Sequence, residues 1–306
     1  MIPCYNEEQT VATVVADFRA VLPSATVYVY DNNSTDGTIE QARTAGAIVR
    51  RVSYQGKGNV VRRMFSDIDA DLYVLIDGDA TYDAASALAL IELLRSEQLD
   101  MVVGTRFGNF EAEAFRAGHR WGNRMLTQSV ALIFGRHFTD LLSGYRVFSR
   151  RFVKSFPALA KGFETETELT VHALELKMPI AELPTPYKAR PEGSVSKLRT
   201  YRDGWRILTT IFSLFREERP LAFFSIAFAM LALISLLLGV PIAMSYLETG
   251  LVPRFPTAIL ATGIMILAFL SLAAGFVLDT VTRGRWEMKR LIYLSLPAIG
   301  SNNPLP

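Results

Sequence analysis

The residues best suited to chemistry sit where short apolar runs give way to polar turns. Leu72 to Ile76 is such a run, and it ends in Asp77-Gly78-Asp79. As a buried strand it would set both carboxylates at the carboxyl edge of a sheet, where α/β proteins bind ligands. Two acidic side chains separated by one glycine can reach a single Mg2+ or Mn2+ and leave coordination positions for diphosphate oxygens. Surface turns use the same triplet, so its weight depends on its company. Val27 to Tyr30 ends at Asp31 and continues into Asn32-Asn33-Ser34-Thr35-Asp36-Gly37-Thr38, an acceptor carboxylate followed by a polar turn. Pro3-Cys4-Tyr5-Asn6-Glu7-Glu8 stands where a first strand passes into a helix, as a nucleotide-binding turn would.

Other polar groups have bland readings beside the functional ones. Arg116, Arg120 and Arg124 are four apart and share one helix face if the helix begins that early, either as a solvated stripe or as an anion grip. Glu164 and Glu166 suit catalysis or the orientation of Arg146 or of an incoming phosphate. Lys57 lies between two glycines, but Gly56-Lys57-Gly58 lacks the spacing and the Ser/Thr of a Walker loop. The three histidines have no metal-ligand spacing, and His172 on an apolar helix reads as core.

The elements that must position these groups alternate between strand-like and helix-like segments over the first two hundred or so residues, the mark of a mostly parallel sheet covered by helices. Strands are predicted at Val27–Tyr30, Ala47–Val52, Leu72–Ile76, Met101–Val103 and Ile180–Leu183. Helices are predicted from Thr38 to about Ala45, after Gly58, and at Ala85–Arg95, Trp121–Phe134 and Thr165–Leu176. Met1-Ile2-Pro3 reads as the end of a strand whose beginning is missing.

Half of the 306 residues are hydrophobic and a fifth are charged. The mean hydropathy of +0.22 is too high for an ordinary soluble enzyme, so the excess must be local. Leu221–Met244 and Phe255–Leu278 are free of charge, each long enough to cross roughly 30 Å of hydrocarbon as a helix. Arg216, Arg219, Arg283, Arg285, Lys289 and Arg290 flank the pair, whereas the loop between holds only Glu248 and Arg254. Basic flanks mark the cytoplasmic side, so a two-span hairpin with both long ends in the cytoplasm is expected. Leu198–Arg219 repeats Trp205, Leu208, Ile211, Phe212 and Phe215 at helical spacing, an amphipathic helix suited to the membrane surface or to packing on the preceding domain. Trp205 and Trp286 suit interfacial anchoring. A lone Cys4 excludes an intramolecular disulfide. A net charge of +2 offers no case for nucleic acid.

The two opening motifs, the acidic triplet and their spacing resemble the family 2 glycosyltransferases, whose catalytic domains share the GT-A fold. The likeness continues through Gly104-Thr105-Arg106, Ser143-Gly144-Tyr145-Arg146, Gly162-Phe163-Glu164-Thr165-Glu166, and Tyr187–Leu198 with its Arg190, Gly193, Ser196 and Lys197. Followed by two spans, this pattern is similar to the dolichyl-phosphate mannose synthase and bacterial polyprenyl-phosphate glucosyltransferase branch. The resemblance implies a Rossmann-like, mostly parallel α/β catalytic domain over 1–197. An amphipathic helix at 198–219, a transmembrane hairpin at 220–279 and a cytoplasmic tail at 280–306 complete the expected chain. It implies that Pro3, Tyr5, Asn6, Glu7, Val29 and Asp31 hold the nucleoside, and that Asp77 and Asp79 hold Mg2+ or Mn2+. Arg190 and Lys197 would close over the donor diphosphate. Arg106, Ser143 and one or more of Arg116, Arg120 and Arg124 would grip the acceptor phosphate, arginine being suited to bidentate contacts. The mannose synthases often place a glutamine metal ligand two residues after the second acid, where Thr81 stands here.

The implied reaction is transfer of a hexose from UDP-glucose or GDP-mannose to undecaprenyl or dolichyl phosphate. A UDP-sugar is slightly preferred on the two-span architecture. One displacement inverts configuration, giving a β-linked product. The implied location is the cell membrane, with self-association left open. A processive polysaccharide synthase would usually bring more spans and a Gln-x-x-Arg-Trp motif, and neither occurs. A non-catalytic membrane scaffold is opposed by the intact acidic pair and by spans without internal charge for a polar path.

Overall fold

The structure, a computed structural model, describes residues 1–106, 125, 127–132, 138–159, 164–188 and 200–300, with the helical backbone alone over 200–208. Strands β1 (Ile2–Cys4), β2 (Tyr28–Asp31) and β3 (Ile48–Arg51) pair in parallel. Strands β4 (Leu72–Leu75), β5 (Met101–Thr105), β6 (Arg146–Ser149) and β7 (Ile180–Pro184) form a second set in the order β4-β6-β5-β7. Two backbone bonds join the sets: Met1 N donates to Val74 O at 2.8 Å, and Ile76 N to Met1 O at 3.1 Å. The strand order is therefore β3-β2-β1-β4-β6-β5-β7. Only β6 runs antiparallel to its neighbours among these strands. The order of winding reverses between β1 and β4, and the crevice beyond the carboxyl ends at such a reversal is where open α/β sheets bind ligands.

Alternation along the strands loads both faces. Val29 and Val147 face a core shared with Val11, Val14, Val15 and Phe18 of α1 (Val11–Val21) and Ala87, Leu90 and Leu94 of α4 (Ser86–Ser96). The three-and-four spacing of those residues makes each helix amphipathic. Tyr30, Tyr73 and Phe148 turn the other way. There Phe65 of α3 (Lys57–Asp67) makes edge contacts to Tyr73, Phe148 and Phe156, and Phe152 of α5 (Arg150–Ser155) stacks on Phe148 at 4.6 Å. Helix α2 (Thr38–Thr44) follows the β2 turn, and α6 (Thr165–Glu175) is buried along almost its whole length.

Chain contacts divide the molecule into one unit of Met1–Ile207 with Met288–Pro306 and another of Leu208–Glu287. The first unit thus takes in the end of the last helix. Lys289 is paired with the buried Glu175 at 2.5 Å, and Tyr293 OH donates to Asp100 Oδ2 at 2.7 Å. The segment from 280, expected as a tail, is helical through Leu294. Helix α7 runs over Thr200–Glu218.

The second unit holds α8 (Pro220–Thr249) and most of α9 (Phe255–Leu294), both long and apolar enough to cross a membrane. Proline opens α8, where its missing N–H is no loss, and Gly250 closes it in the left-handed conformation at φ 69°. The buried line of α9 is Ala261, Ala268, Gly275 and Thr282, seven apart, small enough to bring α8 close. Ser235 Oγ donates to Ala261 O at 2.7 Å and Ser271 Oγ to Phe224 O at 3.3 Å across that seam. At one end Glu218 is buried and binds Arg285 at 2.8 Å and Trp286 Nε1 at 3.1 Å.

Candidate active site

Two loops and one acidic turn converge beyond the carboxyl ends of β1, β2 and β4. The β1 and β2 loops are laced by their own side chains. Asn6 N donates to Ser34 Oγ at 2.9 Å, Thr35 N to Asn6 Oδ1 at 2.9 Å, and Glu7 N to Thr38 Oγ1 at 2.8 Å. Asn6 and Asn33 both take left-handed backbone (φ 52° and 65°), which asparagine tolerates better than most residues. Asp31 is fully buried; its two oxygens accept from Ser34 N at 3.3 and 3.2 Å, and Arg51 Nε stands 3.7 Å away.

The acidic turn is pressed against this pair of loops. A Cβ on Gly78 would come within 2.7 Å of Cys4 Sγ, so only glycine lets β4 approach β1 so closely here. Thr10 Oγ1, at the head of α1, donates to Gly78 O at 2.6 Å. Asp79 is 4% exposed and accepts from Thr81 Oγ1 at 2.6 Å and Thr81 N at 3.3 Å. Ala80 between them holds φ 56°, a conformation that costs an alanine roughly 1–2 kcal/mol. Asp77 is the more open carboxylate. Its Oδ1 accepts from Lys57 Nζ at 2.5 Å, and a Cβ on Gly144 would collide with its carboxylate.

Lys57 heads α3 behind Gly56, whose φ of 126° favours glycine, and it pairs at once with Asp77 and with Glu166 of α6, each at 2.5 Å. Burial alone would lower this ammonium, but the two carboxylates outweigh it and hold the lysine above its ordinary value. Glu166 is therefore paired directly with Lys57, and its charge acts on Arg146 through space. Arg146 is wholly buried and spends its guanidinium on Ser143 O, Leu141 O and Thr170 Oγ1, burial pulling its pKa below the usual arginine value.

Several expected site residues are placed by the structure in other surroundings. Val29 is fully buried in the apolar core with α1 and α4, beneath the loops and not on a wall open to ligand. Ser143 Oγ is buried and donates to Gly104 O at 2.5 Å, a strut that ties β5 to the approach of β6. Arg106 forks onto the buried Asp140 at 2.7 and 2.8 Å and lies over the Tyr187 ring at 5.7 Å. Burial opposes that cation, and Asp140 more than restores it, so its pKa is raised. Pro3 pairs in β1, whereas Tyr5, 37% exposed, and Glu7 stand with Asn6 at the crevice. Arg116, Arg120, Arg124, Arg190 and Lys197 lie outside the described residues. The Tyr82–Tyr187 bridge, with rings 5.1 Å apart, and the Lys57 cross-link were not anticipated from sequence; the glycine pair around Lys57 was the one signal available.

Asp77 and Asp79 offer hard oxygen donors of the type that Mg2+ and Mn2+ favour. Among the described residues no three His, Cys, Asp or Glu side chains gather to hold a metal. Among the described residues Asp77 and Asp79 would contribute two carboxylates, an arrangement that leaves positions for phosphate oxygens and suits a cation that shares its shell with a diphosphate. The donor set fits. Thr81, standing where a third ligand was in question, uses its hydroxyl proton to fix Asp79.

Residues 1–156 match the profile of glycosyl transferase family 2. Glycosyltransferase AglJ of Haloferax volcanii is 38% identical over 231 residues, 75% of this chain and 76% of that relative. Dolichyl-phosphate hexose transferase of the same organism is 28% identical over 215 residues, 70% of this chain and 92% of its own length. The crystal structure of glucosyl-3-phosphoglycerate synthase from Mycobacterium tuberculosis, with Mn2+, UDP-glucose and phosphoglyceric acid, superposes with a TM-score of 0.54 at 23% identity, over 69% of this chain and 77% of that one. Fold, crevice and motifs agree with these likenesses, and the chain belongs to glycosyl transferase family 2 as a GT-A-fold glycosyltransferase.

Proposed function

We infer that this enzyme transfers a hexose from a nucleotide-sugar to a polyprenyl phosphate at the cytoplasmic membrane face. The observation that carries the reading is the placement of Asp77 and Asp79 in a turn locked by Thr10 and Thr81 against the β1 and β2 loops. That turn shares its chain with two membrane-length apolar helices. Support comes also from the relatives, one named for transfer from or to dolichyl phosphate and another, at 24% identity, an undecaprenyl-phosphate mannosyltransferase of Micrococcus luteus.

In the proposed reaction a phosphate oxygen of the lipid bonds to the anomeric carbon as the bond to the nucleoside diphosphate breaks, inverting that centre. The phosphate is already anionic near neutral pH, so no strong general base is needed. A divalent cation bound at Asp77 and Asp79 would supply countercharge to the leaving diphosphate. Asp31, behind the β2 turn, offers an acceptor for a ring N–H of the base. Arg190 and Lys197 are proposed on the donor diphosphate, and Arg120 and Arg124 on the lipid phosphate, by family likeness.

Membranes carrying the protein, given undecaprenyl phosphate and radiolabelled UDP-glucose or GDP-mannose with Mn2+, should pass label into the organic phase on lipid extraction. Label confined to water for both donors would reject the reading. Label carried from GDP-mannose only would overturn the preference for a UDP-sugar.

A further inference from the structure

Glu166 uses its two carboxylate oxygens unequally. Oε1 accepts from Lys57 Nζ, whereas Oε2 is buried and meets no hydrogen-bond donor among the described residues. The residue is 5% exposed. A buried acceptor left without a donor costs about 1–3 kcal/mol, and native structures that keep one usually do so for a reason. Lys57 places that carboxylate one cation away from Asp77, because its ammonium holds Glu166 Oε1 and Asp77 Oδ1, each at 2.5 Å.

The donor reading above, on which this inference rests, lets chemistry choose the partner. The diphosphate and the lipid phosphate are anions and acceptors, so a carboxylate oxygen repels them. The metal is already assigned to Asp77 and Asp79, and the Lys57 ammonium bridges Asp77 and Glu166. The N–H groups of the base are met elsewhere, at the end of β2. What remains in the substrates is the hexose, whose hydroxyls are neutral donors. We propose that Glu166 Oε2 accepts a hydrogen bond from one hydroxyl of the donor hexose and so helps to select the sugar, with Lys57 as the positioning residue that holds the carboxylate beside Asp77.

Calorimetric titration of the full chain in detergent micelles with Mn2+ tests this without reference to turnover. The ligands are UDP, GDP, UDP-glucose, GDP-mannose and the monodeoxy analogues of whichever sugar nucleotide binds. Glu166→Gln should bind the bare nucleotide as wild type does, yet lose roughly ten- to a hundredfold for the sugar nucleotide. One deoxy analogue should bind wild type and Glu166→Gln equally weakly, because the hydroxyl it lacks is the one Glu166 reads. Lys57→Met should reproduce the selective loss and Lys57→Arg should restore part of it, with melting curves confirming that each variant is folded. If Glu166→Gln keeps the wild-type order among all deoxy analogues, or weakens UDP and UDP-glucose equally, the inference falls while the donor reading stands. Unchanged discrimination in Lys57→Met would remove Lys57 from it. A wild-type protein that binds neither sugar nucleotide would overturn the donor reading itself.

Discussion

Asp77 and Asp79 are separated by one glycine yet stand in different surroundings, and the difference predicts unequal mutants. Asp79 is held by Thr81 and nearly closed off, whereas Asp77 is partly open and shares its charge with Lys57. Asp79→Asn keeps an acceptor for the Thr81 hydroxyl but removes a negative charge from the proposed metal site. Turnover should fall by at least a hundredfold, on the order of 3 kcal/mol of transition-state stabilisation, with the melting temperature little changed. Initial rates and thermal melts check both halves of that statement, and chelation by EDTA should stop the wild type until Mg2+ or Mn2+ is restored. His172 gives a second residue-scale prediction. It is buried against Phe152 and Phe156 with Nε2 3.1 Å from Ser155 Oγ, and burial, aided by Lys289, lowers its pKa to about 3. The folded state then binds fewer protons than the unfolded state below the ordinary histidine pKa of 6.5. Stability from this site is complete above that pH and is lost as pH falls from 6.5 toward 3, by up to about 1.4 kcal/mol per unit. Denaturant titrations at pH 7.5 and 5 should show that loss in wild type and a smaller one in His172→Leu.

At the scale of elements, the turns carry what the strands only aim. Gly144 precedes β6 and lies directly beneath the Asp77 carboxylate, while its N–H donates to Tyr82 OH at 2.9 Å. Gly144→Ala should push Asp77 off Lys57 and cut activity by tenfold or more, far beyond its effect on melting; equal rates in the two proteins would show that the collision is relieved elsewhere. Much of this scaffold was legible. The parallel strands announce themselves as apolar runs ending at Asp31 and Asp77, and α1, α3 and α4 carry three-and-four apolar spacing. Strand β6 was not legible. It opens on Arg146, whose complete burial rests on carbonyls from Leu141 and Ser143, and no hydropathy pattern flags a charged residue satisfied by backbone that only the fold brings near. The end of α9 was missed for a related reason. Charges after Leu278 end the apolar run but not the helix, because Arg283 bonds Asp279 one turn back at 2.8 Å and Arg285 finds Glu218.

For the whole molecule, the first unit is discontinuous in sequence, and its last segment has work that its composition does not suggest. Lys289 neutralises Glu175, whose side chain is 1% exposed, and Tyr293 completes Asp100, which is wholly buried and also binds Arg151 and Ser149. Lys289→Met would break this buried ion pair, a loss of about 3–5 kcal/mol in comparable pairs. A marked drop in melting temperature is expected although no residue of the acidic turn is touched. The charges predict an orientation. Arg216, Arg219, Arg283, Arg285, Lys289 and Arg290 bracket the two apolar helices, and the connecting loop holds one arginine against one glutamate. Basic residues resist transfer across the membrane, so the bracketing segments should both remain in the cytoplasm and the turn around Gly250 should face outward. Reporter fusions after Pro306 and before Met1 should both report cytoplasm, and a single cysteine at Glu248 in a Cys4→Ser background should react with an impermeant maleimide in intact cells. Cys4 lies 2% exposed against the acidic turn, so the Cys4→Ser protein must first be shown to melt as wild type does. Reaction of the Glu248→Cys thiol only after the cells are opened would mean that the hairpin enters the bilayer without crossing it, and would leave the cytoplasmic placement of the sugar-transfer site without support from charge.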